Sequence, residues 1–193
     1  MRHFSELSPA ALRVVDAAEG LLQRQGYNGF SYDDVSALIG IKKPSIHYHF
    51  PKKEDLVAMV AQRYRHRFRE QLLGIEGTCA DPLERLQAYA VLFEQTFSQR
   101  RLCLGAMLGA EYESLPPSVL AELDAFFEVN VEWLTLMVTQ GQQAGRIRNL
   151  GAPASLAQTL ICTLEGAMIV GRAMNSAEGP AQIGATLLNF LQA

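Results

Sequence analysis

The four lysines of this chain lie within a window of twelve residues, as Lys42, Lys43, Lys52 and Lys53. Between them, the segment 44–50 reads Pro-Ser-Ile-His-Tyr-His-Phe and is rich in aromatic and hydrogen-bonding side chains. Cations and hydroxyl groups contact phosphate oxygens, and a short helix that carries them can read base edges in the major groove. The residues of this window therefore predict a surface for a polyanion, and we expect that polyanion to be double-stranded DNA.

Charge is divided unevenly along the chain. Residues 1–69 contain eleven Lys and Arg against seven Asp and Glu, a net charge of +4. Residues 70–193 contain six against thirteen, a net charge of −7. A basic head on an acidic body indicates that the head alone contacts nucleic acid. Charged residues make up 19% of the chain and hydrophobic residues 49%, which indicates a globular protein and excludes a disordered one.

Helices are predicted to position the cationic window. The spacing of apolar residues favours a first helix over Pro9–Gln25, which Gly26 would end. Ser31 is expected to cap a second helix, with Asp34 at the partner position of a capping box. Gly40 then permits the left-handed turn that leads into a third helix.

The third helix would begin near Pro44, whose missing N–H costs nothing in a first turn, and end before Pro51. A long helix is predicted from Glu54 to about Ile75, with its acidic residues near the positive end of the helix dipole. Five further helices are predicted over Pro82–Gln99, Leu102–Glu113, Ser118–Gly141, Ala154–Asn175 and Pro180–Gln192. The predicted fold class is all-α, with an N-terminal helix-turn-helix head of three helices joined to a C-terminal helical bundle.

Residues 8–68 resemble the DNA-binding domain of the TetR family of transcriptional regulators. The resemblance rests on Gly26-Tyr-Asn-Gly-Phe, Ser31-Tyr-Asp-Asp-Val, the turn at Gly40, Ser45-Ile-His-Tyr-His-Phe and Lys53-Glu-Asp-Leu. It implies a DNA-binding domain at 8–68 and a ligand-binding and dimerisation domain at 69–193. The implied function is sequence-specific transcriptional regulation, with a repressor released from its operator by a small-molecule or electrophile signal. The alternative is a helical small-molecule or redox-binding protein without specific DNA recognition.

The resemblance also implies which side chains contact DNA. In the family, residues at the positions of Lys43, Pro44 and Ser45 face bases. Those at the positions of Tyr32, His47, Tyr48, His49 and Lys53 touch the DNA backbone. The family usually has a small hydroxyl residue at the position of Lys42 and tyrosine at that of His47, so this chain departs from it twice. Packing within the short helix is the alternative role for His47. The residues predicted to contact DNA are Ser31, Tyr32, Lys42, Lys43, Pro44, Ser45, His47, Tyr48, His49 and Lys53.

Cys103 is the residue of the acidic body with the clearest chemistry. It follows Arg100 and Arg101, and a thiol near guanidinium groups has its reactive thiolate favoured. The segment from Cys103 to Pro116 resembles a TetR subgroup that responds to reactive electrophiles or small unsaturated acids, which implies a sensor. A small buried core residue is the alternative. Aromatic residues with polar groups among them would complete a ligand pocket, although core packing would also explain them. The predicted ligand or sensor residues are Tyr89, Phe93, Cys103, Met107, Glu111 and Trp133.

The last two predicted helices suit a dimer. Residues 154–192 mix large apolar residues with small ones, and the family builds its dimer from its last two long helices. The resemblance therefore implies a homodimer through 154–192 and an inverted-repeat operator. The identity of the effector stays open.

Other classes of site are not predicted. His47 and His49 are two residues apart on a helix, so they point to nearly opposite sides and cannot hold one metal ion. We find no catalytic constellation and expect neither an enzyme nor a cofactor. The odd number of cysteines, three, fits a reducing cytoplasm, and no signal peptide or bilayer-spanning segment is expected, so a cytoplasmic protein without membrane contact is predicted.

Overall fold

The computed structural model describes residues 3–193 and confirms the all-α prediction, because helices are the only extended regular elements in that range. Short 3-10 turns lie at Phe4–Glu6 and Tyr112–Ser114. The α-helices are α1 (Pro9–Gln25), α2 (Tyr32–Ile39), α3 (Lys43–His49), α4 (Lys53–Thr78), α5 (Pro82–Phe97), α6 (Leu104–Gly109), α7 (Pro117–Gln143), α8 (Pro153–Met174) and α9 (Pro180–Leu191).

Contacts between residues divide the chain into two compact units. Unit 1 runs up to Arg67 and also contains Leu104–Phe126, and unit 2 contains Phe68–Cys103 and Phe127–Ala193. The division falls inside α4 and inside α7, so both long helices contribute to both units. The domain division near residue 68 stays a prediction, and unit 1 includes α6 in addition to the expected head.

Local signals at α1 and α2 act as the sequence predicts. Ser8 caps α1 by accepting a hydrogen bond from the N–H of Ala11, and Gly26 ends it at a φ of 80°. The side chain of Ser31 and that of Asp34 form the reciprocal bonds of a capping box at the start of α2. Gly40 follows at a φ of 68°, the left-handed conformation that glycine adopts without steric cost.

The predicted single helix Leu102–Glu113 is wrong. The structure has the six-residue α6, then a turn, then the 3-10 turn Tyr112–Ser114. The helix ends at Gly109 because the carboxylate of Glu111 accepts hydrogen bonds from the backbone N–H groups of Tyr27 and Asn28, just beyond the end of α1. A tertiary contact here overrides a local helical preference.

In unit 2, α9 packs against both α5 and α8. Gly184 makes this close approach possible, because a Cβ added there would lie 3.1 Å from the Cβ of Ala90 and 2.9 Å from Cδ2 of Leu164. Among the described residues, α8 is the one helix that is long and apolar enough to cross a membrane by length and composition. It nevertheless carries the buried Glu165 and contributes core residues to unit 2.

Candidate nucleic-acid interface and buried polar cluster

The orientation of α3 is set by two apolar residues. Ile46 and Phe50 are buried in unit 1, and the buried hydroxyl of Tyr32 donates to the backbone carbonyl of Phe50 at 2.8 Å. With one face held this way, the opposite face of α3 is left in solvent. Tyr48 is 83% exposed, and its ring lies 5.2 Å from that of His49 between centroids.

The start of α3 presents exposed cations and a hydroxyl. Lys42 is the N-cap residue and makes no side-chain cap, as its departure from the family pattern predicts. Its ammonium has no hydrogen bond or ion pair within residues 3–193. The ammonium of Lys43 lies 2.7 Å from a carboxylate oxygen of Asp33, but both side chains are exposed and such pairs contribute little. Pro44 and Ser45 are also exposed, so the predicted base-facing residues share one free surface.

Two of the predicted DNA contacts are engaged inside the protein. Tyr32 is only 6% exposed and uses its hydroxyl on Phe50. The ammonium of Lys53 donates to the carbonyl of Phe30 and lies 4.3 Å and 4.9 Å from the ring centroids of Phe30 and Tyr27. Burial lowers the pKa of Lys53, with the carboxylates of Glu111 and Asp34 opposing that shift. The structure therefore gives Tyr32 and Lys53 the geometry of residues that position α2 and α4.

The remaining predicted contacts lie at the edges of this surface. Ser31 is exposed, but its hydroxyl caps α2. The ring of His47 lies 4.7 Å from that of Tyr32, and Nδ1 of His47 is 3.4 Å from the carbonyl of Pro51. His49 is half-buried beside Tyr48.

Unit 2 contains a buried polar cluster, centred on Glu165 of α8. Glu165 is 9% exposed, and among residues 3–193 neither of its carboxyl oxygens has a hydrogen-bond partner of normal geometry. Cys103 lies against this carboxyl and is 1% exposed. The hydroxyl of Tyr89 donates to Oδ1 of Asn130 at 2.8 Å, and the Tyr89 ring stacks on Trp133 with centroids 5.6 Å apart.

Titration in this cluster is shifted by desolvation. Burial raises the pKa of Glu165 to about 7, although the thiol of Cys103 acts in the opposite direction. Burial also raises the pKa of Tyr89, and the neighbouring Glu165 and Cys103 add to the shift. Glu165 therefore changes charge near neutral pH.

The surroundings of Cys103 differ from those expected. Reactive cysteines lie in electropositive, partly exposed environments, whereas this thiol is enclosed and faces a carboxyl group. Of the predicted pocket residues, Tyr89, Phe93 and Trp133 are buried in unit 2 with Cys103.

Met107 and Glu111, the other two predicted pocket residues, belong to unit 1. Glu111 accepts hydrogen bonds from the backbone N–H groups of Tyr27 and Asn28 and, at 3.1 Å, from the side-chain amide of Asn28. Its observed role is to hold the end of α1. Glu165 and Asn130 were missed by the sequence analysis. Glu165 could have been found as the single acidic residue of the apolar α8.

Comparisons with known proteins agree with this arrangement. The family described as "Bacterial regulatory proteins, tetR family" matches residues 14–60, and "Tetracyclin repressor-like, C-terminal domain" matches residues 82–187. The HTH-type transcriptional repressor DhaR of Mycobacterium sp. (strain GP1) is 28% identical over 163 residues, which is 84% of this chain and 82% of DhaR.

Solved structures are similar over nearly the whole chain. A TetR-family transcriptional regulator from Agrobacterium tumefaciens is 34% identical, with a TM-score of 0.88 over 95% of this chain and 98% of that one. A TetR transcriptional regulator from Legionella pneumophila is 28% identical, with a TM-score of 0.85 over 96% of this chain and 99% of that one.

Proposed function

Because the chain belongs to the TetR family and is a DNA-binding transcriptional regulator, we propose that it is a cytoplasmic, homodimeric repressor released from its operator by a small-molecule effector. The one observation that carries this proposal is the exposed face of α3, on which Lys42, Lys43, Ser45 and Tyr48 stand free of the core. A transcriptional role, and not an enzymatic one, is proposed.

DNA recognition would use α3 in the major groove. Lys43, Pro44 and Ser45 lie in its first turn, the part of a recognition helix that reaches base edges. Lys42 and Tyr48 flank them and suit phosphate contacts. Tyr32 and Lys53 would hold this surface in place from behind.

Dimerisation would use α8 and α9. Both helices expose large apolar side chains, and contiguous exposed patches of this kind mark interaction surfaces. A two-fold dimer presents two recognition helices to an inverted repeat. The exposed apolar residues of these helices are Ile169, Val170, Met174, Ile183 and Phe190.

Release would be transmitted through α6. Cys103 is followed directly in the chain by Leu104, the first residue of α6, and α6 packs against α1 within unit 1. Glu111, just after α6, holds the end of α1. An effector that binds one arrangement of unit 2 more tightly would bias the position of α6 and through it that of the head.

A covalent signal at Cys103 is tested by mass spectrometry and operator binding. Electrophile treatment should add mass at Cys103, and the Cys103→Ser variant should then stay on its operator. If the wild type and Cys103→Ser are released from the operator equally, the covalent signal at Cys103 is refuted and the effector must bind reversibly.

The function is tested by selecting operators from a random duplex pool and measuring fluorescence anisotropy at several salt concentrations. We expect the triple variant Lys43→Ala, Ser45→Ala, Tyr48→Ala to lose selectivity for the selected site, and Arg148→Ala, exposed in unit 2, to keep it. Affinity for DNA should fall steeply with salt, since phosphate contacts release counterions. Equal selectivity of the triple variant, or weak salt dependence, favours a helical ligand-binding protein without specific DNA recognition.

A further inference from the structure

We propose that a cavity at the end of α5 binds a small organic anion through the guanidinium groups of Arg100 and Arg101. The anion would be a carboxylate with a short hydrocarbon part, and it would be the effector of the repressor. The effector role rests on the proposed function, whereas the binding site itself does not.

The cavity lies within unit 2, between the end of α5 and the end of α8. Its volume is about 560 Å³, which is in the range of small-molecule sites. Its lining combines cations, hydroxyl groups and one aromatic ring. The lining residues that matter here are Phe97, Ser98, Arg100, Arg101, Arg172 and Ser176.

Positive charge at this cavity is not neutralised by the protein. Arg100 and Arg101 have no hydrogen bond or ion pair from their guanidinium groups among residues 3–193. Glu94 is the one carboxylate in the lining, and it accepts a hydrogen bond at 3.2 Å from the N–H of Ala181 at the start of α9. Glu94 is therefore held at the start of α9, and the two positive charges of Arg100 and Arg101 exceed its single negative charge.

Other arginines of this chain show two usual environments for a guanidinium group. Ion pairs with carboxylates hold Arg63, Arg65, Arg67 and Arg146. Unpaired arginines such as Arg148 are exposed, where water solvates them.

Arg101 fits neither pattern. It is half-buried, and among residues 3–193 its guanidinium has no carboxylate partner, whereas Arg63, whose Nε is likewise enclosed without a hydrogen bond, is held by ion pairs. A half-buried guanidinium without an acceptor is unfavourable, and because Arg101 lines the cavity, an anion bound there would supply the missing acceptor after a small movement of the side chain. A guanidinium donates two parallel hydrogen bonds to a carboxylate, which would satisfy Nε and one terminal nitrogen together.

The turn that carries both arginines is itself unusual. Arg100 has a φ of 57°, a left-handed conformation that is uncommon for residues other than glycine. Such residues persist where the surrounding structure holds them, and they cluster at ligand sites. Here the conformation places two consecutive guanidinium-bearing residues in the lining of one cavity.

The apolar part of the cavity indicates a carboxylate with a short hydrocarbon part. The ring of Phe97 forms a wall, and Gly171 allows α8 to lie against it, because a Cβ added there would be 3.0 Å from Cζ of Phe97. A short hydrocarbon chain can pack on this ring while its carboxylate meets Arg100 and Arg101. An inorganic phosphate offers the same oxyanion but gains nothing from the ring.

Isothermal titration calorimetry on the full chain without DNA tests the site. The probes are propionate, butyrate and benzoate, with propionamide as the uncharged match and inorganic phosphate as the second oxyanion. We expect at least one carboxylate to bind, and Arg101→Gln to weaken it at least tenfold, with a similar loss for Arg100→Gln. Arg148→Gln removes the same charge elsewhere in unit 2 and should leave binding unchanged.

Several results would overturn the proposal. They are absence of binding by all three carboxylates, equal binding of propionamide, and binding that Arg101→Gln leaves intact. Phosphate binding without carboxylate binding would show that the cavity takes an inorganic oxyanion and not an organic carboxylate. Carboxylate binding that releases no operator DNA refutes the effector role but keeps the site. Failure of α3 variants to alter DNA selectivity refutes the proposed function and leaves the calorimetry unaffected.

Discussion

At the scale of single residues, the charged groups of this chain differ in how far they are available to a partner. The exposed ammonium of Lys42 has no partner among residues 3–193, that of Lys43 is in an exposed ion pair, and that of Lys53 is enclosed by two rings and a carbonyl. From residue type alone, these three lysines would be expected to be equally available to DNA. Burial and hydrogen bonding separate the side chains that can reach DNA from those that orient them.

Tyr48 provides the sharpest test of this distinction. We expect Tyr48→Ala to weaken operator binding by about tenfold or more, since a hydrogen bond from its hydroxyl to a charged phosphate would contribute roughly 1.5–3 kcal/mol. Its stability should barely change, because the ring is in solvent. Tyr32→Phe should instead lower the free energy of unfolding by about 1 kcal/mol, since it removes a buried hydrogen bond. Anisotropy and urea unfolding of both variants check this, and a large loss of stability in Tyr48→Ala would contradict it.

Glu165 should make stability depend on pH. Its folded pKa of about 7 lies above the ordinary value of 4.5, so between these values the folded state retains a proton that the unfolded state has lost. The free energy of unfolding should therefore fall as pH rises from about 5 to 8, by at most about 3 kcal/mol at 1.36 kcal/mol per pKa unit.

Urea unfolding at pH 5 and pH 8 measures this slope. Glu165→Gln cannot ionise and should lose most of the slope, whereas Glu128→Gln, which changes an exposed glutamate of α7, should keep it. Identical slopes for the wild type and Glu165→Gln would contradict the shifted pKa.

At the scale of elements, α2 and α3 start differently. The capping box of Ser31 and Asp34 satisfies backbone donors at the start of α2, and it lowers the pKa of Asp34 through the Ser31 hydrogen bonds. In contrast, α3 begins at Lys42 without a side-chain cap. The helix expected to enter DNA is thus the less well-capped of the two.

Exchanging caps should change stability in opposite directions. Ser31→Ala should lower the free energy of unfolding by about 1 kcal/mol, the usual value of an N-cap. Lys42→Ser adds the missing cap and should raise it by about 0.5–1 kcal/mol, while weakening DNA binding through the lost cation. Thermal unfolding and anisotropy measure the two effects, and a Lys42→Ser variant without added stability would count against the cap.

Glu111 should act at one precise place, the end of α1. Glu111→Ala removes the acceptor of two backbone N–H groups, so amide hydrogens of Tyr27 and Asn28 should exchange faster by at least tenfold. Glu113→Ala, which changes an exposed neighbour, is the matched control. If amide hydrogens of residues 27 and 28 exchange at unchanged rates in Glu111→Ala, Glu111 does not transmit the effector signal to the head.

Local signals explain what the sequence could predict. Caps, glycines and prolines at Ser31, Gly40, Pro44 and Pro51 act within a few residues, so the helices of the head were predicted within a residue or two. The break after α6 depends on a contact between Glu111 and a segment more than eighty residues away, which no local pattern reveals. The enclosure of Lys53 and the burial of Cys103 beside a carboxyl likewise arise only when distant elements pack.

At the scale of the whole molecule, the remaining apolar surface of α8 and α9 is the feature that needs a partner. Met174 is 74% exposed and Phe190 is 67% exposed, although the same helices bury Leu164, Met168 and Leu188. One face of each helix therefore builds unit 2, and another is exposed, where we propose that a second copy of the chain packs.

Charges placed on that free face should separate the dimer. We expect Val170→Asp with Phe190→Asp to sediment as a monomer and to bind the operator at least a hundredfold more weakly, since one head contacts only one half-site. Leu73→Asp with Leu150→Asp charges two exposed leucines outside α8 and α9 and should leave both properties intact. A dimer that survives the first pair of changes would place the interface elsewhere.

The grouping of every lysine in residues 42–53 has a practical consequence for anyone who handles this protein. Reagents that couple to primary amines will attach, apart from the terminal α-amine, beside α3 alone, and Lys53 will react slowly because it is enclosed. A molecule that is coupled to a biosensor chip through these lysines would be held by the surface that carries α3, and its binding to DNA would be underestimated.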